Sequence, residues 1–227
     1  MEILDHYLPG PEFKRSPEKR SAFEALWEAA GHGERLDYHL PYPKWQFLTY
    51  LCEKKPVILH GSQLAELETV QPQQANDIRA FANQRAIYAT TDGIWVIYFA
   101  ILDRKQHPMS LYNACFRYQD AEDHWSNPFY FFSISHSALV RDPWIWGTIY
   151  ILPRDSFHKE PNQPIMGVTV DFPHWVSHAP AAPIAKLTVG PEDFPFLAQI
   201  HGHDDTLLNK LVREDPDGFP WPEALIT

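Results

Sequence analysis

Chemistry in this chain is densest at two short stretches. His60-Gly61-Ser62 closes residues 56–62 (PVILHGS), and Tyr88-Ala89-Thr90-Thr91-Asp92 closes residues 85–92 (RAIYATTD). Each reads as a brief apolar strand that ends in polar residues: Val57, Ile58 and Leu59 in the first, Ala86, Ile87 and Tyr88 in the second. A His offers an imidazole N–H and a Ser a hydroxyl. A Gly lets a ligand approach the backbone, and a Tyr provides a flat ring for stacking. Gathered at strand ends, these groups make a small-molecule cleft. A plainer reading stands beside it: His-Gly-Ser is an ordinary strand-to-loop turn, Tyr88 a core residue, and Thr91 or Asp92 the cap of a helix starting near Gly93.

Other reactive residues are less organised. His201-Gly202-His203-Asp204-Asp205 gathers metal-ligand types. No second His or Cys cluster stands at finger-like spacing, however, and Asp204-Asp205 equally suits the start of a helix from Thr206. No metal is expected. His124, His136, His158 and His178 are scattered singly. His136 follows serines in SISHS, but no G-x-S-x-G elbow supports a nucleophile. Cys52 and Cys115 are the two cysteines; they form no CxxC and read as reduced core thiols.

The elements that must position these residues follow from pattern. Ser16-Pro17 signals a helix start, and Phe23, Leu26, Trp27 and Ala30 follow at helical spacing until Gly31. A second helix is expected over 42–54, so residues 1–55 form an N-terminal helical cap and 56–227 the main body. Residues 63–84 show little apolar periodicity and read as a long connection with Asn76, Asp77 and Arg79 at its polar centre. The run 93–103 (GIWVIYFAILD) is a buried helix or strand, which periodicity does not separate. Strands are expected at 111–118, 129–135, 145–152, 166–171, 174–178 and 184–189, and helical tail segments near 192–200 and 206–212. The class is α+β.

Composition restricts the partners. With 19 basic against 29 acidic residues the formal charge is −10, which argues against a nucleic-acid backbone as the main partner. A small anionic ligand needs only local donors and stays open. No apolar run reaches the roughly 18 residues of a membrane span. The N-terminal MEILDHYLPGPEFKR lacks the basic-then-apolar order of a signal peptide. The expectation is a cytoplasmic protein.

Taken together, the two stretches say more. An apolar strand ending in His-Gly-Ser/Thr, followed by small-Ile-Tyr-small, resembles the first two signature motifs of the ADP-ribosyltransferase superfamily in its diphtheria-toxin and poly(ADP-ribose)-polymerase branch. His60-Gly61-Ser62 matches the first motif and Ala86-Ile87-Tyr88-Ala89-Thr90 the second. The resemblance implies a split β-sheet with an NAD-binding cleft, NAD being the substrate. It implies that His60 bonds the adenine-side ribose and that Gly61 holds the nicotinamide carboxamide, with Ser62 alongside. Tyr88 would stack on the nicotinamide, with Thr90 in the same motif. Tyr98 is the nearest polar candidate for a further aromatic, and Asn76 and Arg79 belong to the loop that covers the dinucleotide, Arg79 toward its pyrophosphate.

The third family motif opens a late strand with Glu. Its positional match is PHWVSH, residues 173–178, where His174 stands in the acidic place. The Glu normally stabilises an oxocarbenium-like transition state through its negative charge, which a neutral imidazole does not supply. Asp171 is the nearest acid, but strand alternation turns residues 171 and 174 to opposite faces unless Pro173 bends the chain. The implied activity is transfer of ADP-ribose from NAD to an acceptor, with His60, Tyr88 and His174 as catalytic candidates. The alternatives are a non-catalytic reader of nucleotide or ADP-ribosyl ligands, an RNA 2′-phosphotransferase-like enzyme, and a metal-dependent hydrolase built on the HGHDD run.

Overall fold

The β-rich part of the sequence folds into two sheets with a short buried helix between them, as seen in a computed structural model describing residues 6–31, 33–75 and 80–226. The chain starts with β1 (Leu8–Pro9), α1 (Pro17–Glu28) and α2 (Lys44–Lys54). It continues through β2 (Val57–Ser62), β3 (Gln73–Gln74), β4 (Arg85–Thr90), α3 (Trp95–Ala100), β5 (Leu111–Tyr118), β6 (Phe129–Ser135) and α4 (His136–Leu139). Next come β7 (Gly147–Pro153), β8 (His158–Lys159), β9 (Gln163–Ile165), β10 (Val168–Asp171), β11 (His174–Ser177) and β12 (Ala185–Val189). The chain closes with β13 (His201–His203), α5 (Asp205–Glu214) and β14 (Leu225–Ile226). The α+β class expected from the sequence holds.

One seven-stranded sheet runs β14-β13-β6-β5-β10-β9 with β1 added to β6; the other runs β12-β7-β2-β4-β11-β8 with β3 added to β4. Neighbours are antiparallel except β13 and β6, which are parallel. Two antiparallel partners can be joined by a tight turn, and Met166-Gly167 makes one: both residues take positive φ, 51° and 82°. That turn is why the strand expected from residue 166 begins at Val168.

Helix α1 starts where Ser16-Pro17 signals it, the Ser16 hydroxyl accepting from the Lys19 N–H at 3.2 Å. The ambiguous run 93–103 contains α3, apolar all round and therefore buried. Asp92 caps it: Oδ1 accepts from Ile94 N–H at 2.9 Å and Trp95 N–H at 2.7 Å. The helix expected near 192–200 is instead a pair of 3₁₀ turns, Pro191–Asp193 and Leu197–Gln199. Pro195 lies between them and has no N–H to carry a helix through.

The main core shows the layering. Ile97, Tyr98 and Ala100 of α3 join Val57, Leu59, Ile149 and Ile151 of one sheet and Tyr130, Phe132 and Ile134 of the other. Phe23, Phe47, Leu48 and Leu51 from the N-terminal helices belong to the same cluster. Alternation along β2 then sends Ile58 and its i+2 neighbours to the far face, where Ile87, Ala89, Tyr150 and Leu152 form a second cluster. No helix among the described residues is long and apolar enough to cross a membrane.

Candidate functional site

Strands β2 and β4 meet at a single register pair, Leu59↔Thr90. Past it, β2 follows β7 as far as Ser62↔Thr148, and β4 follows β11 through Val176↔Tyr88 and Ser177↔Ile87. A strand that leaves its neighbour leaves backbone groups in need of partners. His60 supplies one: its Nδ1 lies 2.8 Å from the Tyr88 carbonyl oxygen. A carbonyl only accepts, so Nδ1 carries the proton and Nε2 keeps its lone pair. Burial pushes the imidazole below its ordinary range, the Tyr88 carbonyl partly opposes this, and Arg104 adds to the lowering. His60 is therefore a neutral acceptor in the opening between the two strands.

Tyr88 and His174 stand on the α3 side of the sheet. The pairs Leu59↔Thr90 and His174↔Thr90 share that face, and Tyr88 is two residues from Thr90. The Tyr88 hydroxyl accepts from Gln84 N–H at 2.9 Å and donates to Gln84 O at 3.0 Å, which fixes the ring. Its centroid is 5.6 Å from that of His174. Phe81 and Trp95 complete an aromatic enclosure, each 5.4 Å from the His174 ring. Behind the imidazole lies Glu160, 1% exposed, with Oε2 3.2 Å from His174 Nδ1. Oε1 accepts from Gln163 Nε2 at 2.7 Å.

The remaining expected site residues are used in other ways. A Cβ on Gly61 would lie 2.4 Å from Val96 O, so this glycine admits α3 rather than holding its α-carbon open to a ligand. Ser62 is half-buried and its hydroxyl accepts from Leu64 N–H at 3.1 Å. The Thr90 hydroxyl accepts from Asp92 N–H at 3.0 Å, setting up the α3 cap. Tyr98 is fully buried among Phe99, Phe132 and Phe194 and donates to Ser133 O at 3.2 Å, away from Tyr88. Trp95, one turn earlier on α3, is the aromatic that reaches the enclosure. Asn76, Asp77 and Arg79 lie outside the described residues. Asp171 belongs to the other sheet, paired with Arg117, since the chain crosses between sheets at Phe172-Pro173. Burial would raise its carboxyl, but Lys159 and Arg117 bond it and hold it below the usual range.

The HGHDD run is absorbed by hydrogen bonds. His203 is fully buried between Ser133 Oγ at 2.5 Å from Nδ1 and Ser110 Oγ at 2.7 Å from Nε2. Asp205 accepts from Ser110 and, at 2.8 Å, from Ser135. Asp204 caps α5, accepting from Thr206 N–H at 2.8 Å and Leu207 N–H at 2.9 Å. No cluster of His, Cys, Asp and Glu among the described residues could hold a metal ion. Cys52 and Cys115 are buried and unpaired with each other, burial raising the first to about 12 and the second well above its ordinary value. Open depressions of about 490 Å³ on α5, along Thr206, Lys210 and Arg213, and of about 290 Å³ beside Gly33 and Lys186 lie apart from His60, Tyr88 and His174. The first is lined by exposed polar residues of α5, and the buried Lys186 beside the second is paired with Glu66.

Glu160, Phe81 and Trp95 are the site residues that sequence reasoning missed. Glu160 sits in an unpatterned KEPNQ segment and offers no local signal. Trp95 had one: it is an aromatic seven positions after Tyr88 in a run already marked as buried. Comparison with family models, curated proteins and solved structures finds no match for this chain.

Proposed function

We propose that this chain is an ADP-ribosyltransferase-like protein whose split sheet binds NAD, or a related ADP-ribosyl nucleotide, at the opening between β2 and β4. One observation carries the reading. The strands part beyond Leu59↔Thr90, where the first motif begins and the second ends. His60, on the face away from α3, reaches the Tyr88 carbonyl at the gap, and Tyr88, on the α3 face, lies against His174. Residues far apart in sequence, selected by motif alone, are thereby gathered around one break in a sheet.

On this reading His60 Nε2 accepts from a ribose hydroxyl, and the Tyr88 ring stacks on the nicotinamide. Phe81, on the short 3₁₀ turn before β4, is the ring that gives way to admit it. The reaction is dissociative: the C1′–N bond breaks and neutral nicotinamide leaves with the bonding pair. An acceptor hydroxyl or water closes on C1′ as the nicotinamide departs and gives up its proton. Positioning and electrostatics supply most of the rate. Two points of the family pattern are not reproduced. Gly61 is packed by α3, and the acidic position holds His174. The second point favours an alternative, a binding module that holds the nucleotide without cleaving it.

Calorimetric titration with NAD, with free nicotinamide quantified in the same sample over hours, tests the proposal. Binding with release supports a transferase or glycohydrolase, and binding alone supports the reader. A folded protein that binds no NAD overturns both. Wild-type affinity in His60→Ala or Tyr88→Ala would remove the site from this opening.

A further inference from the structure

The pairing of His174 with Glu160 has the form of a proton-accepting dyad. Glu160 is 1% exposed and the His174 side chain 11%, in an enclosure walled by Phe81, Tyr88 and Trp95. A buried carboxylate is costly unless bonded. Glu160 is bonded by His174 Nδ1 and by Gln163, and its backbone N–H donates to His174 O at 2.8 Å, so the two residues are tied at main chain and side chain. A carboxylate only accepts, which places the proton on Nδ1 and leaves Nε2 as the basic atom. Among the described residues Nε2 has no hydrogen-bond partner. Held by three rings and one carboxylate, the imidazole has its orientation fixed and its free nitrogen turned from the acid.

We infer that Glu160 is the positioning residue that fixes the tautomer and orientation of His174, making His174 Nε2 the general base for the acceptor. The inference rests on the NAD reading above. As nicotinamide leaves with the C1′–N pair, the acceptor oxygen bonds to C1′ and its proton passes to His174 Nε2. The resulting imidazolium keeps Nδ1–H on Glu160, whose negative charge stabilises it, and the proton then goes to solvent. The carboxylate thus enters the site one residue removed from the reacting atoms, from the segment after β8 rather than from β11 itself.

The test uses the full chain with NAD, and the isosteric variant Glu160→Gln. Release of nicotinamide is expected to fall about 100-fold in kcat, while KM for NAD stays within about twofold. A loss in KM without a loss in kcat assigns Glu160 to packing and overturns the inference, as does unchanged kcat. Should Glu160→Gln not fold, Glu160→Asp keeps the charge while withdrawing it, and an intermediate kcat loss is expected; wild-type kcat overturns the dyad. Nitrogen-15 NMR of the His174 ring adds a readout free of turnover. Protonation at Nδ1 is expected in the wild type, and protonation at Nε2 overturns the dyad. A wild type that neither binds NAD nor releases nicotinamide overturns the NAD reading itself, whereas a releasing wild type with an unaffected Glu160→Gln overturns the dyad alone.

Discussion

Gly61 separates two accounts of the same motif. If it is glycine so that a ligand can approach the backbone, adding a methyl blocks binding and leaves stability alone. If it is glycine so that α3 can press on β2, the methyl disrupts the fold. The place that methyl would occupy decides between them: it falls 2.4 Å from Val96 O and 3.3 Å from Ala100 N. Both are backbone atoms of the buried helix and have no rotamer by which to swing aside. Overpacking of this kind costs about 1–3 kcal/mol, and rigid neighbours place it toward the upper part of that range. For a chain of 227 residues each kcal/mol moves Tm by about 2–4 °C, so Gly61→Ala at about 2–3 kcal/mol lowers Tm by about 4–12 °C. Gly147 grips the same helix from β7, its Cβ falling 2.0 Å from Ala100 O, and Gly147→Ala is expected to lose at least as much. Because both substitutions push on α3, their combination should depart from additivity. Thermal unfolding followed by circular dichroism measures all of this. A Gly61→Ala protein melting within 1 °C of wild type would refute the packing account, most clearly if it had also lost a ligand.

Three further outcomes follow from the buried polar groups. Asp92→Ala removes the acceptor for Ile94 N–H, Trp95 N–H and the Tyr130 hydroxyl at 2.6 Å, and should cost about 2–4 kcal/mol by denaturant unfolding. Asp92→Asn, which keeps an acceptor, should recover part of that. His203→Ala leaves the buried Ser133 hydroxyl without its partner and removes one of the bonds of Ser110, and should lower Cm by the equivalent of about 1–3 kcal/mol, whereas His124→Ala on the surface should leave it unchanged. Finally, burial lowers the pKa of His60, His201 and His203. The unfolded chain then binds more protons than the folded one as pH drops below the ordinary His range, so stability is full above it and declines as pH falls through it. Urea unfolding at pH 7.5 and pH 5.5 checks the sign; a protein more stable at the lower pH would contradict it.

The local grammar of the chain was legible without coordinates. Ser16-Pro17 starts α1 and Asp204 starts α5 because capping is settled within one turn, by a side-chain oxygen and the N–H groups two or three residues on. Residues 111–118 and 129–135 are strands with the expected limits because both are short runs rich in aromatic and apolar residues, the second buried on both faces. The two polar strand ends were also visible as strand ends. What the sequence did not contain was contact across distance. Nothing near residue 160 marks it as the partner of His174, since that bond joins separate segments only after β8 has paired with β11. Gly61 reads as open backbone in isolation, and α3, arriving from residues 95–100, is what fills the space above it. Tyr98 and Trp95 share one helix, and only the position of that helix between two sheets turns one into the core and the other toward His174. Short-range hydrogen bonds and periodicity are written in neighbouring residues. Burial and long-range pairing arise when the whole chain closes, so the candidate chemistry of this protein became definite there.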